Sequence, residues 1–126
     1  MGSKAIQVGG EWQTVPVERS TPKRQRFEPQ TIAERSYLLD GVQWYRSRYV
    51  IYGDDSRGFW GRLVDLPIAN STRPTLHECE KSLRHQFREY VRAWVKEGVE
   101  IPWGVCSVAS DWVAGGTMLV NLEERA

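Results

Sequence analysis

Cysteine and histidine are scarce in this chain: two of each in 126 residues. Cys79 and Cys106 have no C-x-x-C spacing, which excludes a disulfide framework and the usual zinc frameworks. Net charge is nearly absent as well, with 17 basic against 16 acidic residues for a formal +1. A strong nucleic-acid binder is usually more basic over its whole length, so any such role has to rest on local asymmetry. No stretch is long and apolar enough to span a bilayer, and no signal-peptide pattern opens the chain. The expectation is a soluble, cytoplasmic protein that meets no membrane. The initial Met-Gly-Ser carries no weight, and neither an internal repeat nor a low-complexity segment is visible.

Aromatic residues are plentiful, six Trp and five Tyr, and point to aromatic burial or an aromatic contact surface. The clearest periodicity lies in residues 75–98. Leu76, Cys79, Leu83, Phe87, Tyr90, Val91 and Trp94 recur at spacings of three and four, with Val95 at the margin, which is one face of an α-helix. Thr75 followed by Glu78 is the pattern of a reciprocal capping box. Gly98 suits a left-handed C-terminal position, and Pro102 opposes continuation. Such a helix needs a partner surface, and the strand-rich sequence before it is the natural candidate.

Residues 5–8 and 11–17, separated by Gly9 and Gly10, have the pattern of a β-hairpin, with Pro16 restricting the second strand to an edge. Residues 18–34 hold two prolines and the cations Arg19, Lys23, Arg24 and Arg26. They fit a solvated linker, or a basic arm that touches phosphates or a partner. A short helical turn within 31–39 is weakly signalled. Residues 42–52 are strand-like. Alternation sets Tyr45, Ser47, Tyr49 and Ile51 on one face and Trp44, Arg46, Arg48, Val50 and Tyr52 on the other. Residues 53–58 are a turn, 59–64 the returning strand, 68–71 a short third strand and 117–122 a last one; residues 103–116 are expected irregular or partly strand. The chain divides into residues 1–41, hairpin and basic linker, and residues 42–126, an α+β domain with one long helix on one face of a small antiparallel-rich sheet.

Residues 48–102 resemble the HicB-like antitoxin domain. The resemblance rests on order and spacing: the strand at 49–52, Asp54-Asp55 with Gly58, Phe59-Trp60, Asp65-Leu66-Pro67, Thr75 with Glu78, then Gly98 and Pro102. It departs from the family pattern at Ile68, Arg73-Pro74 and Cys79. The resemblance implies a β-β-β-α-β fold, a degenerate relative of ribonuclease H without its catalytic carboxylates. It also implies an inhibitor in a toxin–antitoxin system that occludes a small ribonuclease, a HicA-like toxin. Many members add a C-terminal DNA-binding module. Ala126 lies close behind the last expected strand, so none is expected here.

Asp54, Asp55 and Asp65 are candidate metal carboxylates, but turn formation explains them better. His77 and His85 fall away from the apolar helix face, among Lys81, Arg84, Arg88 and Arg92. Those four cations repeat at three and four and are expected to line one exposed ridge, with Glu80 placed to pair with Arg84. The ridge is either an ordinary charged face or a surface for an acidic protein or phosphates. Trp103 and Trp112 are expected to lid one end of the core. The expectation is therefore a non-enzymatic binding protein with no catalytic residue, metal or cofactor. Its contacts with a protein partner run through Trp44, Trp60, Arg84, Arg88 and Arg92, and a sheet edge also allows a homodimer. The alternative is a nucleic-acid-binding domain using Arg19, Lys23, Arg24 and Arg26 with the helix ridge.

Overall fold

A single strand of 13 residues, Val42–Asp54, is the axis from which the sheet is built outwards. The computed structural model describes residues 3–8, 11–16, 23–66 and 69–123. In chain order the elements are β1 (Ser3–Val8), β2 (Glu11–Pro16), β3 (Arg24–Gln25), α1 (Ile32–Arg35), β4 (Ser36–Leu39), β5 (Val42–Asp54), β6 (Gly58–Leu63), β7 (Asn70–Arg73), α2 (Leu76–Glu97), β8 (Val108–Ala109) and β9 (Ala114–Asn121). The arrangement is α+β, with an antiparallel curled sheet and one long helix.

β1 and β2 pair antiparallel, Ser3 opposite Pro16 and Val8 opposite Glu11. The Gly9-Gly10 turn expected between them lies outside the described residues, as do Arg19 and Ile68. In the main sheet β9 pairs one edge of β5, from Trp44 opposite Asn121 to Ile51 opposite Ala114. β4 and β6 share the other edge, β4 against residues 42–45 and β6 against residues 49–54. β7 then pairs β6. Residues 24–39, on the linker side of the boundary expected at residue 41, thus supply β3, α1 and β4.

The expected alternation along β5 divides two cores. Tyr45, Ile51, Leu63, Met118 and Val120 face α2, where Cys79, Leu83, Phe87 and Val91 are buried against them. Gly61 permits this approach: a Cβ there would lie 2.9 Å from Ile51 Cγ1 and 3.3 Å from Cys79 Sγ. On the opposite face Val50 is buried with Val64 and Val108, and Phe27, Tyr52, Val105, Cys106 and Trp112 pack around them. That face is closed by two stretches with little regular structure. β3 pairs β8 over two residues per strand, Arg24 opposite Ala109 and Gln25 opposite Val108. Trp112 Nε1 donates to Gln25 Oε1 at 3.0 Å, and the Tyr52 hydroxyl donates to the Ala109 carbonyl at 2.7 Å.

Several local expectations need correction. Thr75 does cap α2, accepting from the Glu78 amide at 3.1 Å, and Gly98 ends it with φ +72. The Glu78 carboxylate, however, accepts from the Thr75 hydroxyl at 2.9 Å, so the box is not reciprocal. A full reciprocal box stands at Thr31 and Glu34, inside the weakly signalled turn, and starts the four-residue α1. Tyr90, expected on the apolar face, is 40 % exposed and stacks on Trp94 at 5.5 Å between ring centroids. β9 begins at Ala114, earlier than expected, and takes in Gly115 and Gly116. A Cβ at Gly115 would meet the Tyr49 carbonyl oxygen at 3.1 Å and the Trp112 ring at 3.2 Å, so the glycine serves close packing rather than a turn.

Candidate functional site

Asp65 lies two residues past the end of β6 and is fully buried, its carboxylate bound by Arg48 rather than by a turn. Between β4 and β6 the free edge of β5 is occupied by the chain at Val64 and Asp65. The Val64 amide donates to the Arg48 carbonyl at 2.7 Å. The Arg48 amide donates to Asp65 Oδ2 at 2.9 Å, so the carboxylate stands in for a strand. The Arg48 guanidinium closes the same carboxylate in a fork, Nε to Oδ2 at 3.0 Å and Nη2 to Oδ1 at 2.6 Å. That bond, foremost among its influences, raises the Arg48 pKa above its ordinary value. Arg48 Nη2 also donates to the Glu28 carbonyl at 2.7 Å, and its guanidinium lies 5.1 Å from the Phe27 ring centroid. Arg35 lies 3.9 Å from Asp65 and 5.5 Å from the centre of the Trp103 ring. The Gly104 amide donates to the Asp65 carbonyl at 3.0 Å. Asp65 therefore joins β5 and the N-terminal segment through its carboxylate, and the coil after α2 through its main-chain carbonyl. A bidentate arginine pair of this kind is strong when its remaining lone pairs are also satisfied. Its role is architectural, and the Leu-Pro that follows was the misleading signal.

Asp54 behaves as expected of a turn residue. It accepts from the Ser56 hydroxyl and from the Arg57 amide, both at 2.8 Å. Those two bonds, with a third from the Arg57 guanidinium, lower its pKa to about 2.

The two helix histidines are exposed, as expected. Cys79 is buried on the other side of α2, its thiol pKa raised by burial. Among the described residues no cluster of three or more His, Cys, Asp or Glu side chains is placed to hold a metal.

The expected cationic ridge is interrupted. Arg88 is only 4 % exposed, with Nη2 3.4 Å from His85 Nδ1 and Nε 3.7 Å from Glu89 Oε2. It stands one position from Phe87, close enough to the buried side of the helix for its long stem to be covered. Arg92 is bonded to Glu89 and donates to the Leu122 carbonyl at 3.3 Å. Glu80 accepts from the Tyr49 hydroxyl at 2.6 Å. Burial first, and then this carboxylate, push the Tyr49 pKa up to about 12. Trp44 and Trp60 lie on the face of the sheet away from α2, at opposite ends of it. Trp60 is opposite Tyr52, eight residues beyond Trp44 on β5, or roughly 26 Å along the strand. The two tryptophans and three arginines therefore form no single patch. Lys23, Arg24 and Arg26 are exposed on the segment that covers this second face. Arg24 is held by Ser107, through the carbonyl and, at 3.2 Å, through the hydroxyl.

Two surfaces stand out among the described residues. The first is the outer edge of β9, which pairs with no other strand among the described residues. Its eight residues, AGGTMLVN, include no charge and no proline. Thr117 and Leu119 are exposed, Leu119 at 40 %. Beside this edge Tyr49, His77, Glu80, Lys81 and Arg84 line a shallow groove of about 390 Å³ shared with residues 117–119. Sequence periodicity missed this surface, because edge position is set by pairing and not by local pattern. The second surface surrounds Trp60, which is 42 % exposed and stacked on Tyr52 with centroids 5.1 Å apart.

Comparisons with protein-family models, with curated proteins and with solved structures find no match for this chain. No helix among the described residues is long and apolar enough to cross a membrane.

Proposed function

We propose that this chain is a non-enzymatic binding protein, a HicB-like antitoxin or inhibitor. It neutralises a small ribonuclease, or another nuclease, by covering the nuclease's active surface. The supporting order is β5-β6-β7-α2-β9, which follows the β-β-β-α-β succession that the resemblance implies once β4, an extra strand of the same sheet, and the two-residue β8 of a separate sheet are set aside.

The observation that carries the reading is the outer edge of β9, unpaired among the described residues. Natural sheets blunt such edges with charge, proline or short strands. β7, at the far end of the sheet, is blunted in these ways: it has four residues, ends in Arg73 and is followed by Pro74. β9 has eight uncharged residues. An edge of that kind offers backbone donors and acceptors to an added strand, while the groove under α2 supplies polar contacts that select the partner. Added as a strand, the partner is held across the sheet and its active face is covered.

The test is capture from the native host with a tagged chain at low salt, followed by a ribonuclease assay on the captured protein. A captured nuclease whose activity falls to zero at stoichiometric chain supports the reading. A Thr117→Lys/Leu119→Lys double variant should weaken inhibition by about tenfold or more. Capture of no protein, or of a nuclease indifferent to the chain, overturns it.

A further inference from the structure

Among the described residues, the face of the sheet away from α2 is covered over β5 but left exposed over β6 and β7. Trp60 and Arg62 project there from β6, since Phe59, Gly61 and Leu63 are the buried residues of that strand. Asn70 and Thr72 of β7 stand opposite them in register, and both are exposed. Beneath Trp60 lies Tyr52, its ring inclined by 27° at 5.1 Å and its hydroxyl fixed on the Ala109 carbonyl. Around this pair Arg24, Arg62 and Asp111 line a shallow pocket of about 300 Å³. Its rim thus holds two cations to one anion. The Arg24 guanidinium is oriented by the uncharged carbonyl and hydroxyl of Ser107.

We infer that the Tyr52–Trp60 stack, flanked by Arg24 and Arg62, is a stacking platform for single-stranded nucleic acid. A nucleobase offers a flat π-face to an exposed indole, and the adjoining phosphates bring negative charge to guanidinium groups at the rim. Asn70 and Thr72 place polar groups beside the ring, within the reach of base edges. An acidic peptide meets the cations equally well but has no flat surface to set against Trp60. The chain's formal charge of +1 is no obstacle, because a short stacking site needs only local charge. This platform is distinct from the β9 edge and stands whether or not that edge takes a protein.

The test is fluorescence anisotropy of end-labelled 12-mers of uridine and of thymidine, titrated with the full chain at low and moderate salt. Binding should weaken steeply with salt. Trp60→Leu keeps an apolar residue on the strand and removes the ring face, and it should weaken binding by about 5- to 100-fold. Trp60→Phe should retain most of it. Arg24→Gln/Arg62→Gln should lower the slope of log affinity against log salt by about 1.4. Circular dichroism confirms that each variant is folded. The inference is overturned if neither oligonucleotide binds at low salt, or if Trp60→Leu binds as well as the parent. It is also overturned if poly-glutamate competes at equal charge concentration as well as unlabelled oligonucleotide does.

Discussion

The two faces of the sheet are closed in different ways. Under α2 the seal is one amphipathic helix whose buried apolar residues Cys79, Leu83, Phe87 and Val91 follow a helical period. On the other face the seal is assembled from residues 23–30 and 103–113, which touch through two short strands and several side-chain hydrogen bonds, and are tied to the sheet by the Arg48–Asp65 pair and the Asp65 main-chain carbonyl. The helix can tolerate the loss of one contact, because its neighbours stay in register along a rigid rod. The coil face has no such rod, so its order depends on a few polar joints whose geometry must be complete. Burial on the first face is mostly apolar, with Arg88 at its margin, whereas the second includes a fully buried carboxylate that is acceptable only while it is paired.

This contrast is most directly broken at Asp65. Asp65→Ala leaves the Arg48 guanidinium and the Arg48 amide without their acceptor in a covered site. The expected loss is near the upper end of about 3–5 kcal/mol, measured by urea unfolding. Amide exchange should rise first in β3 and β8 and least in α2. Equal acceleration in all three would mean that the two faces open together. A smaller effect comes from paired truncations: Phe87→Ala should cost about 3–4 kcal/mol, and the half-buried Phe27→Ala about 1–2 kcal/mol. Equal costs would remove the proposed asymmetry. The smallest effect is a pH dependence on the helix face. The Tyr49 hydroxyl titrates near 12 in the fold and near ~10 in an unfolded chain. Its folded pKa is raised, so the stabilisation is complete below the unfolded value and is lost as pH climbs from about 10 to 12. Tyr49→Phe should abolish that loss in thermal unfolding scans while changing stability at neutral pH by about 1 kcal/mol or less.

Over residues 42–98 the strand and helix periodicities match the spans of β5, β6 and α2. Alternation in β5 correctly divides Tyr45 and Ile51 from Val50 and Tyr52, because a strand buried on both faces still alternates its side chains. The candidate surfaces were less legible. Trp60 carried an aromatic signal, and its exposure follows only from where the covering coil stops. Arg88 looked like one of four equivalent cations, but its burial depends on what packs beside the helix.

By itself the sequence determined the existence and span of α2, the hairpin of β5 with β6, and which β5 side chains share a face. These follow from periodicity, caps and turn residues within a few positions of one another. Only the tertiary structure decided that Asp65 occupies the β5 edge between β4 and β6, that β9 has no second strand partner among the described residues, and that residues 23–30 meet residues 103–113. Those contacts join positions far apart in the chain. Their energy comes from desolvation and paired geometry that no local window contains.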